Sequence, residues 1–139
     1  MNKINPGVAI VTGASSGIGP ATADALQSAG FRVVGTSRKA SPQEMREGIR
    51  MVACDVTSDA SVTAAVALAH AELGRIDLLV NNAGYAISGA AEESSIEQVR
   101  ALFDTNFLGA VRVTNAVLPI MRQQAGGRIL NIGSVVGLI

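Results

Sequence analysis

Short apolar runs alternate with segments of helical spacing along the chain. Five apolar runs predict β-strands, at residues 8–11, 31–34, 49–54, 76–80 and 129–132. Amphipathic spacing predicts helices at residues 18–29, 58–73 and 96–124, and at most a short helix at 43–47. Because strands that alternate with helices form right-handed βαβ units, we predict an α/β fold with a parallel sheet.

The predicted helices have recognisable ends and faces. Gly74 follows the second helix as a C-terminal cap, and Thr57 or Ser58 can cap its start. Pro119 is expected to end or bend the long third helix. An inward-facing stripe is predicted along that helix, made of Val99, Phe103, Asn106, Ala110, Val113 and Val117. Asn106 is the one strongly polar member of the stripe, so its amide needs hydrogen-bond partners when buried.

Composition and charge narrow the class of protein. The 139 residues suit one domain spanning 1–139. Lys+Arg 11 and Asp+Glu 11 cancel, and a pI of about 6.6 leaves no basic excess for nucleic acid. The longest apolar run, residues 64–69, is too short to span a membrane, and the polar first residues argue against a signal peptide. A single cysteine, Cys54, fits a reducing compartment, so we expect a cytoplasmic protein, and we predict no metal site.

A glycine-rich turn follows the first predicted strand. Residues 12–19 read TGASSGIG and open the first helix. The glycines let the backbone approach a pyrophosphate closely, and free N–H groups at the start of the helix point at its charge. A tight connection between a strand and a helix would use the same glycines, so the turn alone leaves both interpretations open.

Further motifs follow in the order of a known family. The string TGASSGIG resembles the cofactor turn of the classical short-chain dehydrogenase/reductase family. Asp55-Val56, the NNAG string at 81–84, Asn106 and the NIGS string at 131–134 resemble the other motifs of that family. The resemblance implies a Rossmann-like, doubly wound parallel sheet with five strands present, in the order 3-2-1-4-5. It also implies an oxidoreductase that transfers a hydride between a nicotinamide dinucleotide and a carbonyl or secondary alcohol.

The resemblance implies roles for individual residues. The residues implied to bind the cofactor are Gly13, Ser15, Ser16, Gly17, Ile18, Gly19, Arg38, Asp55, Val56, Asn82, Ala83 and Gly84. Ser134 is implied to orient the substrate carbonyl, and Asn106 to hold a water in a proton relay. Ser134 is not expected to be a hydrolase nucleophile, because the only histidine, His70, lies on a helix beside an apolar stripe.

Ordinary structural roles compete with two of these assignments. Asp55 would accept a hydrogen bond from the adenine amino group, or its carboxylate could cap the next helix. Asn81 and Asn82 end a buried strand, where asparagine side chains can satisfy exposed backbone groups. The family implies both the structural and the cofactor-lining role for this pair.

The end of the second predicted strand bears on the choice of dinucleotide. NAD sites usually place an acidic side chain there for the ribose 2′-hydroxyl, whereas an arginine accommodates the 2′-phosphate of NADP. The segment here has no acid and supplies Arg38 and Lys39. We therefore predict NADP rather than NAD, against the alternative that Arg38 is an ordinary solvated loop residue.

The catalytic Tyr-x-x-x-Lys of the family does not occur in these 139 residues. The only tyrosine is Tyr85, and the only lysines are Lys3 and Lys39. We expect the chain to be the amino-terminal part of a longer enzyme, inactive by itself, with its fifth strand left as an exposed apolar edge. The complete enzyme is expected to be a homo-oligomer that acts on a small carbonyl or alcohol substrate, with apolar ketones and alcohols closest to the resemblance.

Two other classes of protein stay open at this point. A non-catalytic module that binds a dinucleotide or a partner protein would need neither the tyrosine nor the lysine. A doubly wound methyltransferase would share the fold. It normally carries an acid at the end of the second strand, however, where this chain has Ser37 and Arg38.

Overall fold

A computed structural model describes residues 7–134. The strands are β1 (Val8–Val11), β2 (Arg32–Ser37), β3 (Met45–Arg46), β4 (Ile49–Ala53), β5 (Leu78–Asn81) and β6 (Arg128–Asn131). The helices are α1 (Gly19–Ser28), α2 (Asp59–Leu73), α3 (Ile96–Phe103) and α4 (Gly109–Gln123). A 3₁₀ turn covers Ala91–Glu93, and a π-helical turn, Asp104–Leu108, joins α3 to α4.

Five of these strands are parallel and confirm the predicted sheet. The full order is β3-β4-β2-β1-β5-β6. Without β3, this is the predicted order 3-2-1-4-5, with β1 paired to β2 on one side and to β5 on the other. The direction of the strand order therefore reverses beside β1, and doubly wound sheets bind ligands at that point, outside the carboxyl ends of the strands.

The sixth strand corrects the sequence prediction for residues 43–47. Met45 and Arg46 form a short antiparallel edge strand, paired with Arg50 and Ile49 of β4. The connection consists of Glu47 (φ 50°) and Gly48 (φ 85°). A two-residue hairpin turn of type I′ needs left-handed backbone at both of these positions. A right-handed helix cannot contain such angles, so the predicted short helix is wrong and the sheet has six strands rather than five.

Apolar side chains cover both faces of the sheet. Ile10 packs on one face with Val66 of α2 and Val117 of α4. Val11 points to the other face, where Ala23 of α1 covers it. All four residues of β1 are at most 2% exposed. Because both faces are buried, β1 is continuously apolar and shows no alternation of polar and apolar residues.

The helix ends match the prediction for α2 and differ from it for α4. The Ser58 Oγ atom accepts a hydrogen bond from the Ser61 N–H at 3.2 Å and caps the start of α2. Gly74 ends this helix with a left-handed backbone (φ 78°). Pro119 lies inside α4, which continues to Gln123, so the proline does not end the helix.

The π-helical turn breaks the stripe predicted along residues 96–124. Because a π turn adds a residue to the helical repeat, the faces before and after it do not line up. Val113 and Val117, after the turn, are buried as predicted. Before and within the turn, Phe103 is 59% exposed, and Val99 and Asn106 are also exposed. The prediction that this half of the stripe faces inward is therefore wrong for the described part of the chain.

Within residues 7–134, β6 forms one edge of the sheet. Leu130 and Ile132 at this edge are 49% and 39% exposed. This agrees with the expected apolar edge at the fifth parallel strand.

Within the same residues, no helix combines the length and the apolar character needed to cross a bilayer.

Candidate cofactor and active site

The carboxyl ends of the parallel strands open into one cleft of about 1090 Å³. Thirteen of the fourteen predicted site residues line it: Gly13, Ser15, Ser16, Gly17, Ile18, Arg38, Asp55, Val56, Asn82, Ala83, Gly84, Asn106 and Ser134. Gly19 is buried and is not among the residues that line the cleft. The structure thus brings together residues that are up to 121 positions apart in sequence, from Gly13 to Ser134.

The glycine-rich turn owes its shape to the absence of side chains. Gly13 and Gly17 have left-handed backbone, with φ of 65° and 62°. A Cβ atom on Gly19 would collide with the Gly13 carbonyl oxygen and lie 2.8 Å from Asn82 Nδ2. No side chain caps the start of α1 at Ile18 in the part of the chain described. The backbone N–H groups at the start of α1 therefore lie beside the cleft. Such groups can bind an anion.

Thr12 joins the first turn to the NNAG turn. Its Oγ1 accepts hydrogen bonds from the N–H groups of Asn82 and Ala83, both at 3.0 Å. The Asn82 Nδ2 atom donates in return to the carbonyl oxygens of Thr12 (3.0 Å) and Gly13 (3.2 Å). Thr12 is only 2% exposed and was not among the predicted site residues. The signal in the sequence was a hydroxyl at the end of an otherwise apolar strand.

Asn81 ties the NNAG turn to two other elements. Its Nδ2 donates to Asn131 Oδ1 of β6 at 2.8 Å and to Thr114 Oγ1 of α4 at 3.1 Å. Asn81 is buried, whereas Asn82 is half-buried and therefore more accessible from the cleft. The two asparagines therefore have different surroundings, and Asn81 has a structural partner set of its own.

Asn106 holds the loop that follows the NNAG string. Its Oδ1 accepts from the Tyr85 N–H at 3.0 Å, and its Nδ2 donates to the Tyr85 carbonyl oxygen at 2.7 Å. The apolar stripe predicts a buried amide here, but the exposed π-helical turn places Asn106 at the surface of the cleft. Its hydrogen-bond needs are met, but by the backbone of one loop residue. π-helical turns of this kind are frequent at functional sites.

Arg112 supports the π-helical turn and was not predicted. Its guanidinium donates to the Asp104 carboxylate at 2.7 Å and to the Asp59 carboxylate at 2.8 Å. It also donates to the Val56 carbonyl oxygen at 3.2 Å. One side chain thus fixes the start of α2, the segment after β4 and the turn that carries Asn106. No local pattern in the sequence indicates contacts over 53 residues.

Asp55 has a structural partner at the basic side of the cleft. Its Oδ1 accepts from the N–H (2.9 Å) and the Oγ1 hydroxyl (2.7 Å) of Thr57. These hydrogen bonds hold the pKa of the Asp55 carboxyl below its ordinary value, and the charge of Arg38 adds to the effect. Ser58 rather than Asp55 caps α2. The carboxylate therefore fixes the turn before the helix and still lines the cleft.

The two sides of the cleft differ in character. We call Ser37, Arg38 and Lys39, at the end of β2, the basic end. We call Thr12, Asn81, Asn82 and Asn106 the amide end. Between them lies the glycine-rich turn, and Ser134 lines the cleft beyond β6. Among the described residues, no group of three or more His, Cys, Asp or Glu side chains could hold a metal ion.

Cys54 also lines the cleft, although no sequence motif indicates a site role for it. Burial, followed by the charge of Asp55, raises the pKa of the Cys54 thiol to about 11. Only the thiolate is strongly nucleophilic, so the thiol is unreactive near neutral pH. Cys54 is a small apolar side chain in the floor of the cleft.

Comparison with known proteins identifies relatives of this chain. The family model described as short chain dehydrogenase matches residues 7–139. A 3-ketodihydrosphingosine reductase of Bacteroides thetaiotaomicron is 45% identical over 136 residues, which are 98% of this chain and 50% of that protein. Oxidoreductase BOA17 of Botryotinia fuckeliana is 39% identical, over 93% of this chain and 49% of the relative.

Solved structures give the same result. A short-chain dehydrogenase from Streptomyces avermitilis superposes with a TM-score of 0.86 at 38% identity, over 95% of this chain and 50% of the other. Aldohexose dehydrogenase from Thermoplasma acidophilum has a TM-score of 0.83 at 36% identity, over 92% and 49%. The chain spans about half the length of the relatives it matches. By its motifs, its fold and these comparisons, the chain belongs to the short-chain dehydrogenase family.

Proposed function

We propose that this chain is the amino-terminal, cofactor-binding part of an NADP-dependent oxidoreductase. The enzyme transfers a hydride between nicotinamide and a carbonyl or secondary alcohol. The observation that carries the proposal is the cleft itself, which joins a cationic strand end, a glycine-rich turn and a serine beyond β6. Membership of the short-chain dehydrogenase family supports the oxidoreductase class.

The chemistry of the cleft fits a dinucleotide with a 2′-phosphate. Gly13 and Gly17 keep side chains out of the turn, and the uncapped start of α1 offers N–H groups to a pyrophosphate. Ser37, Arg38 and Lys39 supply hydroxyl and cationic donors at the end of β2, where an NAD site would carry an acid. When bound, the nicotinamide supplies or accepts the hydride.

The residues of the amide end position the reacting groups. We assign Asn82, Ala83 and Gly84 to the wall against the cofactor, because all three line the cleft and Thr12 holds the backbone of Asn82 and Ala83. Asn106 keeps the Tyr85 segment in place next to that wall. A hydroxyl at Ser134 can donate a hydrogen bond to a substrate carbonyl oxygen and stabilise the charge that develops there. An amide has two N–H donors and an oxygen with two lone pairs, so Asn106 can bond to Tyr85 and also hold the water of the proposed relay.

We assign the proton donor to a part of the enzyme that follows Ile139. The family uses a tyrosine and a lysine after its serine, and residues 1–139 contain no Tyr-x-x-x-Lys. We propose that residues 1–139 alone bind the cofactor and give no turnover, since general acid–base catalysis typically contributes about 10²–10⁴-fold. The relative named as a 3-ketodihydrosphingosine reductase supports a ketone on an apolar molecule as the substrate class.

Two properties of the whole protein belong to the same proposal. A single, buried cysteine suits a cytoplasmic enzyme. Exposed apolar side chains on α3 and the π-helical turn, with Phe103 59% and Phe107 60% exposed, suit a homo-oligomer.

The decisive experiment is a turnover assay on the full-length protein. We expect oxidation of NADPH in the presence of an apolar ketone, with NADH much less effective. Ser134→Ala should lower kcat about 100-fold while NADPH binding stays unchanged, because a transition-state hydrogen bond is lost. Comparable turnover by residues 1–139 alone would contradict the assignment of the proton donor. Binding of NADPH without any turnover by the full-length protein would favour a non-catalytic module.

A further inference from the structure

The π-helical turn that carries Asn106 is not held by the hydrophobic core. Within the part of the chain that the structure describes, neither α3 nor this turn contributes a buried residue. Phe103 and Phe107, the aromatic side chains of this stretch, are both exposed. Segments with few buried apolar contacts have low local stability. Packing within the described chain therefore does not fix the position of Asn106, and polar contacts must do so.

Arg112 supplies such contacts from the first turn of α4. Its Nη2 donates to Asp104 Oδ1 at 2.7 Å, and its Nη1 donates to the Asp104 carbonyl oxygen at 3.3 Å. The same Nη1 donates to the Val56 carbonyl oxygen at 3.2 Å, and Nε donates to Asp59 Oδ1 at 2.8 Å. All three nitrogens of the guanidinium are therefore engaged, and the side chain is only 23% exposed. The rigid, planar guanidinium fixes the direction of its partners as well as their distance.

Arg112 itself is anchored on the well-packed side of the molecule. Its neighbour Val113 is 2% exposed and belongs to the same core cluster as Val56. A Cβ atom on Gly109 would lie 2.7 Å from Val56 Cγ2, so the start of α4 already lies close against the segment after β4. Arg112 therefore connects a turn that the core does not hold to two segments that the core does hold.

We propose that Arg112 is a positioning residue for the reaction, which sets the place of Asn106 in the cleft by holding Asp104. The inference rests on the proposed function, in which Asn106 holds the water of the relay and the Tyr85 segment. Asp104 lies two residues before Asn106 in the same turn, so a shift of one displaces the other. A misplacement of about 1 Å in an active site can cost about 100-fold in rate. Arg112 is not among the residues that line the cleft, so it acts through the turn and not by contact with substrate.

The first test compares Asp104→Ala and Asp59→Ala in the full-length protein. Both variants remove a carboxylate bonded to the same guanidinium, but only Asp104 lies in the π-helical turn. Asp104→Ala should lower kcat for ketone reduction by NADPH about tenfold and change the Kd of NADPH less than about twofold. Asp59→Ala should leave both quantities unchanged. Arg112→Gln should lower kcat at least as much as Asp104→Ala, and Arg112→Lys should recover only part of it, because an ammonium group lacks the planar fork.

The second test asks whether Arg112 acts through Asn106. Asn106→Ala should lower kcat by itself, and Arg112→Gln added to it should lower kcat by less than about a further twofold, because both changes affect one group. Hydrogen exchange without dinucleotide gives a readout that does not depend on turnover. The Tyr85 N–H, which donates to Asn106 Oδ1 at 3.0 Å, should exchange about tenfold faster in Arg112→Gln and at the unmodified rate in Asp59→Ala.

Each alternative result has a definite meaning. Equal losses of kcat for Asp59→Ala and Asp104→Ala would make Arg112 a general support of the fold and overturn the inference. Losses that multiply when Arg112→Gln and Asn106→Ala are combined would also overturn it, while the proposed function would stand. If Arg112→Gln does not fold, the comparison of the two aspartate variants decides alone. If the unmodified full-length protein reduces no ketone, the proposed function is wrong and the role of Arg112 falls with it.

Discussion

At the amide end of the cleft the polar side chains bond to the chain itself, whereas at the basic end the two cationic side chains face solvent. Thr12 is 2% exposed and accepts two backbone N–H groups at 3.0 Å. Arg38 and Lys39 are both exposed. Polar groups that bond to other parts of the chain hold one geometry, while exposed charges can rearrange around a ligand. We therefore expect changes at the amide end to affect folding, and changes at the basic end to affect binding.

The largest expected effect is at Thr12. Thr12→Val keeps the shape of the side chain but leaves the N–H groups of Asn82 and Ala83 without their acceptor. Each unsatisfied buried donor costs about 1–3 kcal/mol, so the free energy of unfolding should fall by about 3 kcal/mol. Urea denaturation of the full-length protein measures this change.

Thr12→Ser is the matched control for that variant. It keeps the hydroxyl and loses one methyl group, so it should cost only about 1 kcal/mol. Equal losses for the valine and serine variants would mean that packing, rather than hydrogen bonding, dominates at Thr12. The distinction between the two ends of the cleft would then be wrong.

A smaller effect, in binding rather than in folding, is expected at Arg38. Arg38→Ala should weaken NADPH binding about tenfold, equivalent to about 1.4 kcal/mol, and leave NADH binding unchanged. Because the side chain is exposed, the free energy of unfolding should change by less than about 0.5 kcal/mol. Fluorescence titration of the full-length protein with both dinucleotides measures the first quantity, and urea denaturation the second.

The control for Arg38 is Arg122→Ala, which removes the same charge at the far end of α4. NADPH and NADH binding should both be unaffected by it. A fall in the stability of Arg38→Ala that matches Thr12→Val would break the contrast, since it would show that the basic end also holds the fold together.

Much of the site followed from the sequence because its motifs stand at strand ends. The glycines of the first turn are needed for its backbone angles and close packing, so the string TGASSGIG indicates both the turn and its contacts. The five parallel strands are also confirmed, because continuous apolar runs alternate with helical segments, and their order is the one that the family resemblance implies. In these regions the local pattern and the tertiary structure agree.

Other features depend on contacts that no local pattern carries. The β3–β4 hairpin turns at Glu47-Gly48, without the Asn-Gly or Asp-Gly pair that usually indicates such a turn, and its first strand has two residues. The π-helical turn at Asn106 interrupts a regular apolar stripe and itself contains no proline or glycine, although Gly109 follows it directly. The support from Arg112 requires α2 and α4 to be packed together first. Sequence reasoning therefore missed Arg112 and expected Asn106 to be buried.

The smallest expected effect tests Asp55, which lies on the basic side of the cleft but bonds to the chain itself. Thr57 lowers the pKa of the folded-state carboxyl below the ordinary value of 3.8. A carboxyl with a lowered folded-state pKa stabilises the fold above its unfolded-state pKa, and this stabilisation disappears as the pH falls through the folded-state value. The stability advantage of the unmodified protein over Asp55→Asn should therefore be full at pH 6 and shrink below about pH 4. Because the carboxylate is partly exposed, solvent screening should keep this advantage below about 1 kcal/mol. Urea midpoints of both proteins between pH 6 and pH 3 measure it, and an advantage that grows on acidification would show that Thr57 does not stabilise the charged form of Asp55.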